Sequence, residues 1–152
     1  MLKRKEYKFW FCTGSQDLYG DECLAHVAGH SQIIVEKLNE SGNLPYEVVL
    51  KPTLITNELI RKTFNEANMD ETCAGVITWM HTFSPAKSWI LGLQEYRKPL
   101  LHLHTQFNRE IPYDTIDMDF MNENQSAHGG REYGHIFTRM GIERKVVVGY
   151  WE

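Results

Sequence analysis

Ala74-Gly75-Val76-Ile77-Thr78-Trp79-Met80 is a near-continuous apolar run. A strand with one wet face alternates apolar and polar residues, whereas a strand covered on both faces of a parallel sheet does not need to. The run therefore predicts a central strand of a parallel sheet. Working outward, Tyr7 to Cys12 and Pro99 to His104 read as further buried strands, Tyr46 to Lys51 as another, and Lys145 to Tyr150 as the last. Between them lie segments of helical period. From Asp21 onward Leu24, Val27, Ala28, Ser31, Ile34, Val35 and Leu38 recur at three- and four-residue steps, with Ser41-Gly42 as the stop. Thr56 is placed to cap a helix running to about Asn68, and Ser84-Pro85 to open one that buries Trp89, Ile90 and Leu93. Two more helical segments are expected, at about Asp117 to Asn124 and Gly130 to Met140. Strands alternating with helices throughout predict an α/β fold. The expectation is a doubly wound, mostly parallel five-stranded sheet of flavodoxin-like or Rossmann-like type.

The length of 152 residues, 42% hydrophobic, suits one domain with a single core. A net charge of -4 supplies no footprint for a polyanion, which argues against nucleic acid as a partner. Lys3, Arg4, Lys5 and Lys8 form a basic cluster too short and interrupted for targeting, and read as a solvated terminus. Phe9 to Cys12 is too short for a signal-peptide core or a membrane span. Cys12, Cys23 and Cys73 are odd in number and lack metal-binding spacing, so reduced thiols in a cytoplasmic protein are expected, and Asn124-Gln125-Ser126 is a chance glycosylation match.

In doubly wound sheets ligands collect beyond the carboxyl ends of the strands, which directs attention to Gly14–Gly20, 81–84 and 105–108. The first loop, Gly-Ser-Gln-Asp-Leu-Tyr-Gly, has neither G-x-G-x-x-G nor a Walker lysine, so a nucleotide is not indicated. It does place an amide, Gln16, and an amphipathic ring, Tyr19, where a polyol would find hydrogen bonds and an apolar wall; an ordinary turn before a helix explains it equally well. His81-Thr82-Phe83 again joins a polar group to a ring, although Phe83 alone reads better as core.

Three spacings suggest metal ligands, and each has a plainer explanation. His26 and His30 lie one helical turn apart without the glutamate of H-E-x-x-H, and read as surface histidines. His102 and His104 share one strand face with no third ligand nearby, and read as histidines hydrogen-bonded to neighbours. Asp114, Asp117 and Asp119 stand at a helix entry, where they cap it and meet its dipole. No metal site is assigned. Gln125 to Glu132 joins His128, a group able to exchange a proton near neutrality, to Gly129-Gly130, which read as a sharp inter-helix turn.

Five strings in order closely resemble the L-arabinose isomerase family: Gly-Ser-Gln-Asp-Leu-Tyr-Gly (14–20), Trp-Met-His-Thr-Phe-Ser-Pro-Ala-Lys (79–87), His-Thr-Gln-Phe-Asn (104–108), Ile-Asp-Met-Asp-Phe-Met-Asn (116–122) and Gln-Ser-Ala-His-Gly-Gly-Arg-Glu (125–132). The resemblance covers nearly the whole chain. It implies an aldose-ketose isomerase that interconverts L-arabinose and L-ribulose, often with slower conversion of D-galactose to D-tagatose, assisted by manganese(II) and assembled as a homohexamer. Carried over by position, it implies that Gln16, Leu18, Tyr19, Phe83, Gln125 and His128 contact the sugar, completing the site of a neighbouring subunit. His128 is an auxiliary polar contact in this reading. The glutamates that move the proton and the metal-binding histidines belong to later domains of the family. No catalytic acid, base or metal ligand is therefore assigned here, and the 152-residue chain alone is expected not to isomerise sugar. Two other readings stand beside it: a stand-alone flavodoxin-like sugar-binding or regulatory module without catalysis, and an assembly element whose loops serve subunit contact.

Overall fold

The computed structural model describes residues 6–83 and 85–152. The expected cap at Ser84 and the cluster residues Lys3, Arg4 and Lys5 lie outside the described residues. Five strands form one sheet: β1 (Lys8–Gly14), β2 (Glu47–Leu50), β3 (Cys73–Met80), β4 (Leu100–His104) and β5 (Lys145–Val148), in the order β2-β1-β3-β4-β5. Every pairing is parallel, where the sequence predicted only a mostly parallel sheet. This is the flavodoxin-like order, with its reversal between β1 and β3. The apolar run is central as expected, with Ile77 paired to Phe11 on one side and Leu101 on the other.

β3 explains why no residue in the run alternates. Val76 and Met80 point into one core and Ile77 and Trp79 into the other. On one face α1 (Gly20–Glu40) contributes Ile34 and Val35 to a cluster with Phe11, Val48, Ile77 and Trp79. On the opposite face α2 (Asn57–Met69), α3 (Ile90–Glu95) and α5 (Ser126–Met140) supply Ile60, Phe64, Leu93, Tyr133 and Phe137 to a larger core with Trp10, Cys12 and Trp89. One domain thus holds two cores, one on each side of the sheet.

Local signals set most helix ends. Thr56 Oγ1 accepts from the Leu59 N–H at 3.2 Å, and Asp117 caps α4 (Met118–Glu123) by accepting from the Phe120 N–H at 2.8 Å. Pro85 sits one position earlier than expected: a 3-10 turn over Ala86–Trp89 follows it and leads into α3. The last strand ends at Val148, two residues short of the expected Tyr150, and is an exposed edge with Val148 72% accessible.

Gly129-Gly130 is not an inter-helix turn. Both residues lie inside α5, which begins at Ser126 rather than near Gly130. A β-carbon on Gly129 would stand 2.8 Å from the Thr82 carbonyl oxygen, and one on Gly130 would stand 2.7 Å from the His104 ring. The two glycines let the helix settle against the loop after β3 and the end of β4, a requirement of close approach rather than of backbone freedom.

Candidate functional site

The carboxyl ends of β1, β3 and β4 and the amino end of α5 converge, and one carbonyl ties the loop after β1 to the loop after β3. Gln16 Nε2 donates to the Phe83 oxygen at 2.7 Å and the Tyr19 hydroxyl donates to the same oxygen at 2.8 Å. Behind them the Ser15 and Thr82 hydroxyls share a bond of 3.1 Å, both side chains being buried. The Phe83 N–H donates to the Asn122 oxygen at 2.9 Å, which brings α4 to the same loop. The Phe83 ring is not core, as its composition alone suggested: it is 38% exposed and stacks on His128 with centroids 4.4 Å apart. His128 also faces Glu132 one turn later, at 3.4 Å.

The start of α5 is anchored to two strands' loops. The Gln125 N–H donates to the His81 oxygen at 3.1 Å and the Ser126 hydroxyl to that oxygen at 3.3 Å. Gln106, from the loop after β4, accepts from the Ala127 N–H at 3.1 Å and donates to the Asn124 oxygen at 2.8 Å. It thereby satisfies one amide of the helix's first turn that has no partner within the helix.

Of the six residues singled out from sequence, Gln16, Tyr19, Phe83 and His128 thus form one connected group. Gln125 joins it through its backbone. Leu18 lies in the short turn Asp17–Tyr19 and is 72% exposed, held by no side-chain bond to the others. Gln16 keeps its amide oxygen and a second N–H, and Tyr19 keeps its oxygen lone pairs. With the open Phe83 face, the edge can bind a ligand that carries both hydroxyls and C–H surface.

Two histidine expectations are corrected. His30 is not a surface residue: it is half-buried, its Nδ1 lies 2.7 Å from His81 Nε2, and its ring stacks on Phe107 at 3.8 Å. Sequence spacing could not reveal this, because His81 comes from the end of β3. His26, on the same helix, does stay exposed and pairs with Glu123 at 3.0 Å. His102 is not hydrogen-bonded to neighbours; neither of its buried ring nitrogens has a partner among the described residues. It packs edge-on against Tyr133 and flat on His104, and burial first, then the His104 and Arg144 charges, push its pKa down from 6.5 to about 4. Such a ring stays neutral and serves as core.

The loop edge does not fit a manganese centre. Gln16, Tyr19, Phe83, Gln125 and His128 offer amides, a phenol and an imidazole, whereas manganese favours carboxylate and water oxygens. Among the described residues, the one group of three ligand-type side chains within reach of each other is His30, His81 and Glu123, which is rich in nitrogen.

Fold and edge together define a flavodoxin-like α/β domain with a polar and aromatic edge at the carboxyl ends of its strands. Residues 3–152 match the model of the L-arabinose isomerase N-terminal domain, and the chain belongs to that family. It is 65% identical over all of its 152 residues to the L-arabinose isomerase of Halalkalibacterium halodurans and 64% to that of Geobacillus thermodenitrificans, covering 31% of each. To the L-arabinose isomerase of Phocaeicola vulgatus it is 63% identical over 147 residues, which is 97% of this chain and 29% of that protein. The chain thus spans somewhat under a third of the length of these relatives. Among the described residues, no helix is long and apolar enough to cross a membrane.

Proposed function

We propose that this chain forms one wall of the sugar site of an aldose-ketose isomerase that interconverts L-arabinose and L-ribulose, with D-galactose and D-tagatose as a slower second pair. The observation that carries the reading is the convergence of Gln16 and Tyr19 on the Phe83 oxygen beside the Phe83–His128 stack. An open-chain pentose presents hydroxyls along one side and C–H groups along the other, and this edge offers partners for both. The chain's own residues bind and orient: Gln16, Tyr19, Gln125 and His128 take hydroxyls, while Leu18 and Phe83 cover carbon and keep water from it. Membership of the family supports the reaction, and the share of relatives' length beyond this domain leaves room for the remaining machinery.

In this reading manganese(II) would be held, and the proton moved, by residues in other domains of the polypeptide, where the metal would supply polarisation of the sugar oxygens. The working assembly is a cytoplasmic homohexamer in which this edge faces the catalytic domain of a neighbouring subunit. The exposed valines of β5, Val146 and Val147 at about 40% accessible and Val148 at 72%, support a further covering surface in such an assembly.

The test is an assay for L-ribulose from L-arabinose with manganese. It is run on this chain, on a relative lacking the corresponding domain, and on the two mixed. Activity on mixing alone supports a shared site. Activity of this chain by itself, or full activity of the relative without the domain, overturns the reading.

A further inference from the structure

We propose that His30, His81 and Glu123 form a binding site for a zinc-class divalent transition-metal ion. The ligand atoms of these three side chains all lie within 4.8 Å of one another, although they come from the middle of α1, the end of β3 and the end of α4. Two imidazoles and one carboxylate are the donor set of three-ligand zinc sites, and nitrogen donors favour zinc, nickel or copper over manganese and magnesium.

Each ligand side chain is packed against or bonded to a neighbour that limits its rotation. The His81 ring lies on Trp79, with centroids 4.3 Å apart and planes 15° apart. The His30 ring lies on Phe107 at 3.8 Å and 11°. Glu123 accepts from His26 Nδ1 at 3.0 Å, which fixes one carboxylate oxygen. Both the stacking and the bond restrict rotation before any ion arrives.

The histidine pair is also incompletely satisfied. His81 is fully buried and its Nε2 shares a 2.7 Å contact with His30 Nδ1, while its Nδ1 has no partner among the described residues. A single proton between the two rings leaves the second nitrogen of His81 unserved in either tautomer. Either way the fully buried His81 ring presents its Nε2 toward His30, where it can serve as a ligand once the shared proton is displaced. An ion between the rings takes the place of that proton, which moves to the other nitrogen of its ring, so that both histidines bind as neutral imidazoles through His30 Nδ1 and His81 Nε2. Zinc–nitrogen bonds of about 2.0–2.1 Å at a tetrahedral angle require the nitrogens to part by roughly 0.6 Å, within the reach of His30 on its half-buried helix face.

The site lies directly behind the loop edge. His81 precedes Thr82-Phe83, and its carbonyl oxygen accepts from the Gln125 N–H and the Ser126 hydroxyl. An ion on His81 therefore stiffens the segment that carries the Phe83 oxygen and seats the first turn of α5.

The experiment is calorimetric titration of Zn2+ alone into the chelator-treated 152-residue chain, with the thermal midpoint read in parallel. The expected result is one ion per chain and a raised midpoint. Glu123→Gln should weaken binding at least about ten-fold and His81→Phe, which keeps a ring on Trp79, should abolish it. His30→Gln carries the same prediction of loss should His81→Phe fail to fold, as judged by circular dichroism. Mn2+ should bind at least about a hundred-fold more weakly. No binding at one ion per chain overturns the proposal. So does Zn2+ binding that survives Glu123→Gln and the ring variants but is lost in His26→Gln or His128→Gln, which would mark a helix-surface chelate, and so does Mn2+ binding as tight as Zn2+.

Discussion

The Tyr19 hydroxyl donates to the carbonyl oxygen of Phe83 at 2.8 Å, so a side chain from the loop after β1 fixes the backbone of the loop after β3. Tyr19→Phe removes that donor and leaves the Gln16 bond to the same oxygen. Near the surface such a bond contributes about 0.5–1.5 kcal/mol. The domain should therefore stay folded, with its thermal midpoint lowered by only a few degrees. Placed in a full-length isomerase carrying this domain, the substitution should lower kcat/KM by about three- to ten-fold, because the wall loses the Tyr19 hydroxyl and the Phe83 carbonyl keeps only its Gln16 bond. Steady-state kinetics on L-arabinose beside a melting curve check both. Unchanged kinetics would remove Tyr19 from the sugar wall.

Two glycines of α5 should respond in opposite directions to the same change. Gly134 has open space where a β-carbon would go, so Gly134→Ala should gain about 0.5–1 kcal/mol from helix propensity. Gly129→Ala gains the same propensity but sets its methyl 2.8 Å from the Thr82 carbonyl oxygen, a backbone atom that cannot turn aside. Net destabilisation of about 1–3 kcal/mol is expected as α5 is levered from the β3 loop. Urea titrations of the two variants would show midpoints moving apart. A stabilised Gly129→Ala would mean that the helix does not seat as described.

Buried His102 makes stability depend on pH. Its pKa falls from 6.5 to about 4 on folding, through burial first and the His104 and Arg144 charges next. Above pH 6.5 both states are neutral and the ring costs nothing in protons. As pH drops below that value the unfolded chain binds a proton that the folded chain refuses, so stability falls until about pH 4. The loss attributable to this ring is on the order of 3 kcal/mol. Neutral His81, depressed to about 3, adds a loss of the same sign. His102→Leu removes two unpartnered nitrogens and should flatten the acid limb between pH 6.5 and 4, where wild type loses stability most steeply. Denaturation midpoints across that range measure it, and an unaltered limb would refute the assignment.

The sheet was legible because its signal is local. Val76, Ile77 and Trp79 announce a strand buried on both faces by their unbroken apolarity, and Thr56 and Asp117 announce helix starts by chemistry confined to three residues. Gly129-Gly130 misled for the complementary reason. The sequence carries the glycines but not the Thr82 oxygen and His104 ring that they must clear, and by propensity alone paired glycines read as a break. The loop edge was half legible: fold logic placed Gln16, Tyr19 and Phe83 at strand ends, while their shared bond to one oxygen depends on tertiary placement. His30 and His81 are 51 positions apart, so no periodicity connects them.

Gln106 offers the sharpest test of how the edge is held, because its two ends do different work. Its Oε1 accepts from the Ala127 N–H in the first turn of α5, and its Nε2 donates to the Asn124 oxygen between α4 and α5. Gln106→Leu removes both, leaving an amide at a helix start without a partner, and should cost about 1–2 kcal/mol. The loss should concentrate in that turn, so hydrogen exchange at Ala127 and His128 should quicken about ten-fold while the strand amides of β3 keep their protection. Gln106→Glu separates the ends: it retains the acceptor for Ala127, improved by the positive end of the helix dipole, but sets a carboxylate against the Asn124 carbonyl. Protection at Ala127 should then persist while the α4–α5 junction loosens. Equal exchange in the two variants would show that Gln106 merely fills space between β4 and α5, and His128 would need another support.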